Sequence, residues 1–350
     1  MIEGSVSRKV KRNQGFFIDA NARFSPCVPS NGKRLEYSWS SDPNRNLPSS
    51  RVSKLFIPPY LLQIGIQYKF ILKVSVIDIN NNGKEISSST VEAFVEVESS
   101  DLIAIISGGS SRSISSFLPL VLDASHSYDP DDPQTNLNYQ WTCCKKINDF
   151  CDFDECLSLF TDLKDTKTSI YSKIPNETPL PDGTFTFIVE ISSQDGRTSK
   201  ANTEIEIKPT PIPIVSIKNT ESEIHNFDKP LILTANVKSE YSDLIYQWSL
   251  VEGNIDLNDK NVAPFGTNQS QLYIESKKLN ETKYTFKFTA RSQTTNAVGS
   301  AQIIKKINLP PKGGKLFSNV LEAISLQDTI KLTTSGWMDV SDDLPLRYSF

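Results

Sequence analysis

The chain has 350 residues, of which 38% are hydrophobic, 9% aromatic and 22% charged, with a formal net charge of −4. That length suits two to four small domains, each with apolar content enough for its own core. The mild acidity, with no basic run denser than Ser7 to Arg12, excludes the usual footprint of a nucleic-acid binder. The longest apolar stretches, Leu55 to Ile66 and Phe117 to Leu122, fall short of the roughly 20 residues a membrane-spanning helix needs.

In chain order, the first ordered signal is Leu35-Glu36-Tyr37-Ser38-Trp39, of the form Leu-x-Tyr-x-Trp. Tyr68, Phe70, Leu72, Val74 and Val76 then alternate with more polar neighbours, and a more β-branched strand, Val91 to Val97, follows. Period-2 alternation predicts strands with one face in a core and one in water. The set then recurs. Leu137-Asn138-Tyr139-Gln140-Trp141 is followed by Phe185, Phe187, Val189 and Ile191, and by Thr203 to Ile207. Leu244-Ile245-Tyr246-Gln247-Trp248 is followed by Tyr284, Phe286, Phe288 and Ala290, and by Ala301 to Ile307. A fourth anchor, Leu346-Arg347-Tyr348-Ser349-Phe350, closes the chain.

The aromatic residues that end these anchors stand 102, 107 and 102 residues apart, about one immunoglobulin-like sandwich each. Turn clusters such as Asp42-Pro43-Asn44, Asn80-Asn81-Asn82-Gly83, Asp129-Pro130-Asp131 and Asp195-Gly196 separate the strands. Helical periodicity is almost absent. The predicted fold is all-β: tandem immunoglobulin/fibronectin-III-like β-sandwiches over 1–99, 100–208 and 209–308, with a truncated fourth over 309–350. The joints are short and proline-containing, as in Pro209-Thr210-Pro211-Ile212-Pro213, which predicts a semi-stiff array. Half a sandwich leaves its inner face uncovered, so the polypeptide is expected to continue past Phe350. No apolar leader follows Met1, and an upstream secretion signal is expected instead.

That expectation rests on the cysteines. Cys143, Cys144, Cys151 and Cys156 lie within fourteen residues, and Cys27 stands apart. The spacings fit disulfides in an oxidising compartment better than reduced thiols or zinc, whose ligands come as Cys-x2-4-Cys pairs. If Trp141 points inward so does Cys143, while Cys144 points outward, so each is expected to reach into the insertion from Lys145 to Asp165. The pairing stays open. Cys27 is either free or paired with residues upstream. Asn176, Asn268 and Asn280 each open an Asn-x-Ser/Thr acceptor triplet.

The block Gly336-Trp337-Met338-Asp339-Val340 with Leu344-Pro345-Leu346-Arg347-Tyr348-Ser349-Phe350 resembles the signature of the receptor-for-egg-jelly (REJ) module of polycystin-type proteins. The stretch Leu122-Asp123-Ala124-Ser125-His126-Ser127-Tyr128-Asp129-Pro130-Asp131 before the second anchor resembles the pattern that this module shares with the PKD domain. The match is best over 102–208 and 309–350. One departure is Phe185, which stands where a strand-opening tyrosine is expected, so that unit lacks the hydroxyl of a tyrosine corner. The resemblance implies sandwiches on the outer face of a large membrane protein, often ahead of a self-cleaving segment and transmembrane helices. Its implied partners are a protein or glycan ligand on another surface, or a channel-type subunit, with membrane attachment through other parts of the polypeptide.

Trp39, Trp141 and Trp248, with Tyr37, Tyr139 and Tyr246, are expected to fill the space between sheets rather than to bind ligand. Asp123, Asp129 and Asp131 invite a calcium site, against the alternative that Asp-Pro-Asp-Asp-Pro is a turn capping its own amides. His126 and His225 are the only histidines and neither stands in a catalytic pattern, so no enzyme and no cofactor beyond that calcium is expected. The leading expectation is an adhesive, spacing or mechanical segment of a polycystin-like surface protein. Its rivals are a glycan or glycoprotein receptor acting through the cysteine-rich insertion, and accessory modules of a secreted hydrolase.

Overall fold

In a computed structural model the described residues are 7–24, 31–48, 50–147, 150–160, 168–171, 179–218, 223–320, 322, 330 and 332–339. They divide into two units, the first comprising Met1–Ile103, Tyr128–Leu137 and Ser192–Ser199, the second the remainder.

The first unit holds β1 (Ser7–Lys11), β2 (Phe16–Asp19), β3 (Lys33–Asp42), β4 (Lys54–Ile57), β5 (Gln67–Asp78) and β6 (Lys84–Glu98). One sheet runs β1-β6-β5-β3 and a two-stranded sheet pairs β2 with β4. Their alternating inner residues, Phe16, Ile18, Leu55 and Ile57 against Trp39, Tyr68, Phe70, Leu72, Val95 and Val97, form one core. The predicted alternation of β5 holds through the buried Tyr68, Phe70 and Leu72 to Val74, which is half-buried against the same core. Between Val76 and Ile77 the register against β6 shifts by one residue, Val76 standing opposite Ser87 and Ile77 opposite Glu85.

The second unit begins with β7 (Ser111–Ser115), β8 (Leu120–Asp123), β9 (Asn138–Ile147), β10 (Phe150–Asp152), α1 (Phe153–Leu159) and β11 (Thr168–Tyr171). It continues with β12 (Gly183–Ser192), β13 (Thr198–Lys208), β14 (Ile214–Ile217), β15 (Ile224–Asn226), β16 (Leu231–Lys238), β17 (Leu244–Glu252) and β18 (Gln271–Ile274). The last strands are β19 (Lys283–Ser292), β20 (Val298–Asn308), β21 (Lys315–Ser318) and β22 (Leu332–Ser335).

Two anchor-bearing segments share a single sheet, in the order β10-β9-β12-β13-β7-β20-β19-β17. The joint is β7. It runs parallel to β13, from Ser111 opposite Glu204 to Ser115 opposite Lys208. It also runs antiparallel to β20, through Arg112 opposite Ala301 and Ser111 opposite Gln302. The Ser110 N–H donates to the Gln302 carbonyl at 2.8 Å, and the Ser300 N–H donates to the Ser113 hydroxyl oxygen at 2.9 Å. Glycine permits two close approaches to β20, this one and that of Pro213. A Cβ at Gly109 would strike the Gln302 carbonyl, and one at Gly299 the Pro213 carbonyl. Because both obstacles are backbone, no rotamer change relieves them. The facing layers stay separate, as a β8–β11 pair and a β14-β16-β18 sheet.

Asp243 secures the turn between β19 and β20 by accepting from the Thr294 hydroxyl and N–H, both at 2.7 Å, and from the Ser292 hydroxyl at 2.9 Å. These bonds, the Thr294 hydroxyl first among them, hold its carboxyl down at about 2. Among the described residues of the fourth segment, β21 and β22 pair, and Trp337 donates from Nε1 to the Thr334 hydroxyl at 2.6 Å. The expected anchor at Leu346–Phe350 lies outside the described residues. No helix among the described residues is long and apolar enough to cross a membrane.

Candidate functional site

The aromatic anchors sit in corresponding strands. Trp39 on β3, Trp141 on β9 and Trp248 on β17 are all buried. Trp39 donates from Nε1 to the Val52 carbonyl at 2.9 Å, and Trp248 to the Gln269 carbonyl at 3.0 Å. Each indole thus ties its strand to a loop further along the chain while its ring fills the core, the amphipathic use expected of a buried tryptophan. Tyr139 is buried, and Tyr37 and Tyr246 are half-buried against their cores.

Two tyrosines that open the following strands make hydroxyl-mediated corners. The Tyr68 hydroxyl accepts from the Gln63 N–H at 3.1 Å. The Tyr284 hydroxyl accepts from the Asn280 and Glu281 N–H groups at 3.0 and 3.1 Å and donates to the Asn280 Oδ1 at 3.0 Å. The third position is Phe185, fully buried, and its ring meets Phe160 edge-on at 5.2 Å. Phe160 also meets Phe187 at 5.2 Å. The cysteine-rich insertion therefore supplies an aromatic side chain to the core next to the residue that lacks a hydroxyl. Tyr284→Phe should lose about 1–2 kcal/mol in urea unfolding, because two N–H groups lose their acceptor. Phe185→Tyr gains no such bond in return unless a matching donor is present.

Within that insertion Cys143 pairs with Cys156 and Cys144 with Cys151, with Cα separations of 5.8 and 5.4 Å. The second bridge crosses the β9–β10 hairpin. The first ties β9 to α1, a short helix that periodicity had not marked. Asp152 caps α1 by accepting from the Glu155 N–H at 2.8 Å. The hairpin leaves Ile147 and Phe150 exposed, and Phe153 at the start of α1 is exposed beside them in sequence. Cys27 and Asn176 lie outside the described residues.

The three aspartates of the calcium expectation fall in different units. Asp123 belongs to the second unit, where its Oδ1 accepts from the Ser125 N–H at 2.8 Å. Its charge supports Arg112, whose burial brings the guanidinium down to about 10. Asp129 and Asp131 belong to the first unit, where a guanidinium already serves them. Arg197 donates from Nη1 and Nη2 to the two oxygens of Asp129 at 3.1 and 2.6 Å, a bidentate fork. It also donates to the Ser100 carbonyl at 2.6 Å and from Nε to Asp195 at 2.8 Å. The Asp131 carboxylate accepts from the Ser100 N–H at 2.6 Å and from its hydroxyl at 2.7 Å. Arg12 donates to the Asp131 carbonyl at 3.1 Å.

Burial acts to raise the Asp129 carboxyl, but the hydrogen bonds from Arg197 and the Asp131 N–H, with the Arg197 charge, outweigh it and hold it below its ordinary value. Ser100, fully buried, is gripped through its N–H, hydroxyl and carbonyl. Among the described residues no group of three or more His, Cys, Asp or Glu is disposed to hold a metal ion. Sequence reading missed Arg197 because its partner Asp129 stands 68 residues away. The only local signal was the Asp195-Gly196 turn before it.

His126 lies exposed with its Nδ1 at 3.1 Å from the Ser107 hydroxyl, and His225 has its Nε2 at 3.2 Å from the Lys229 carbonyl. Asn268 and Asn280 are both exposed.

Buried anchor tryptophans recurring in successive β-sandwiches, one of them with a disulfide-held insertion, define a protein of tandem immunoglobulin-like modules. The sequence model of the REJ domain matches residues 42–350, and the chain belongs to that family. It is 25% identical to human Polycystin-1 over 367 residues, covering 97% of this chain and 8% of that protein. It is 27% identical to human Polycystin-1-like protein 1, covering 68% of this chain and 8% of that one. The chain therefore spans less than a tenth of the length of the curated relatives it matches. Among solved structures, Drosophila N-cadherin EC1-3 aligns at 11% identity over 87% of this chain and 99% of its own, with a TM-score of 0.29.

Proposed function

We propose that this chain is a non-catalytic, extracellular segment of a polycystin-like membrane protein, and that it transmits load and sets distance between parts of that protein. The relatives support the placement, and the two disulfides suit an oxidising exterior. The observation that carries the mechanical reading is the shared strand β7, hydrogen-bonded to β13 on one side and β20 on the other. Sandwiches joined by a flexible linker unfold one at a time, whereas sandwiches joined through a common sheet resist shear together.

Single-molecule pulling on the full chain tests this. Residues of the second unit should extend in one concerted event, and Gly109→Val, which drives β7 away from β20, should split that event into two at lower force. Two separate sandwich-sized steps in the unaltered chain would count against load transmission.

A second reading is ligand recognition by the cysteine-rich hairpin, favoured by the exposure of Ile147, Phe150 and Phe153 on a doubly cross-linked support. Unchanged retention of the Phe150→Ser, Phe153→Ser variant on cell-surface glycoproteins would remove it.

A further inference from the structure

The turn entering β18 reads Phe265-Gly266-Thr267-Asn268-Gln269-Ser270, and its inner side is fixed to the core. The Thr267 carbonyl accepts from the Trp248 N–H at 2.8 Å, the Gln269 carbonyl from the Trp248 indole at 3.0 Å, and the Ser270 carbonyl from the Ala235 N–H at 2.8 Å. The Gln269 side-chain amide donates back to the Phe265 carbonyl at 2.9 Å, and Gly266 takes a φ of +77° that lets the chain bend. These bonds tie the turn to the core and leave Phe265 and Asn268 facing outward.

Phe265 is 68% exposed, edge-on to Tyr273 at 5.5 Å. Ile232, opposite Tyr273 in the β16–β18 pairing, is 53% exposed. Asn268, on the same turn, is exposed. Its Oδ1 accepts from the Thr267 hydroxyl at 3.3 Å, and its Nδ2 has no protein partner among the described residues. An aromatic ring fixed in water three residues before an acceptor asparagine has an evident use, since a pyranose presents an apolar C–H face that stacks on such a ring.

We propose that Asn268 carries an N-linked glycan whose first sugar packs on Phe265, covering the patch it forms with Tyr273 and Ile232. The inference rests on the extracellular reading above. The donor is a polyprenyl-pyrophosphate-linked oligosaccharide, and the cell's oligosaccharyltransferase recognises Ser270 at the second position after the asparagine. The Nδ2 lone pair forms a bond to C1 of the donor sugar and the C1–O bond to the pyrophosphate breaks. The lipid pyrophosphate leaves, and the amide loses one proton to the transferase base. Asn280 differs, because its Oδ1 and N–H are engaged by the Tyr284 hydroxyl in a structural corner.

Two measurements test the proposal. Peptide mass mapping of the protein from cells that make it, before and after peptide-N-glycosidase, should show Asn268 converted to aspartate by the enzyme. The full chain secreted behind an added leader should melt at a higher temperature than its Asn268→Gln variant. It should keep that margin when the glycan is trimmed to one sugar, and lose it in a Phe265→Ala background. Closed disulfides with an unmodified Asn268 would overturn the site alone. Free Cys143, Cys144, Cys151 and Cys156 thiols with every acceptor bare would overturn the extracellular reading as well. A glycan whose thermal effect is the same with and without Phe265 would overturn the packing.

Discussion

Replacing Arg197 by alanine should destabilise the first unit by about 3 kcal/mol, the usual cost of leaving a buried carboxylate without its partner. Asp129 is 3% exposed at its side chain and Arg197 23%, so water cannot readily replace the lost bidentate fork. The Ser100 carbonyl loses its donor at the same time. The effect should depend on pH in a definite direction. In the unaltered chain the Asp129 carboxyl is held below its ordinary 3.8, so the pair's contribution is present above that value and is lost as pH falls through the lower folded value. Without Arg197, burial acts to raise the carboxyl. The variant's penalty is then full at neutral pH and eases on acidification towards roughly pH 4. Hydrogen exchange of first-unit peptides at pH 7 and pH 4 measures both. Asp129→Asn combined with Arg197→Met should lose less than Arg197→Met alone, because the stranded charge is gone. Equal losses would show that the guanidinium acts by packing only.

Trp248→Ala should cost the second unit about 3–5 kcal/mol, the range for emptying a buried tryptophan site. The indole is 1% exposed, meets Phe288 at 5.0 Å, and has Leu231, Leu233, Leu272 and Ile274 of the facing sheet in its cluster. Trp248→Phe keeps much of that contact and loses the bond to the Gln269 carbonyl, so it should cost only about 1–2 kcal/mol. Urea unfolding followed by far-ultraviolet circular dichroism separates the two. Near-equal losses would mean that the polar tether, not the ring, holds the site. Because Gln269 lies in the Phe265–Ser270 turn, either change should also loosen that turn, seen as faster exchange of the Ser270 and Gln271 amides.

Strand identity in this protein was legible from local pattern. The Leu-x-Tyr-x-Trp anchors at Trp39, Trp141 and Trp248 fall in strands, and Phe185, Phe187, Val189 and Ile191 all face inward. Such positions follow from the two-residue period of a strand, which any single sequence displays. The REJ family was legible as well, through motif residues contiguous in the chain. What tertiary structure alone decided are relations between residues far apart. Strand β7 is five residues whose pairing with both Glu204–Lys208 and Ala301–Gln302 leaves no local trace, because backbone hydrogen bonds do not read side chains. The register shift against β6 between Val76 and Ile77 is a backbone irregularity, which composition does not encode. Asp129 and Asp131 are carboxylates in a turn whether they meet a cation in solution or a guanidinium. Only folding, which carries Arg197 across 68 residues to them, assigned that charge its partner.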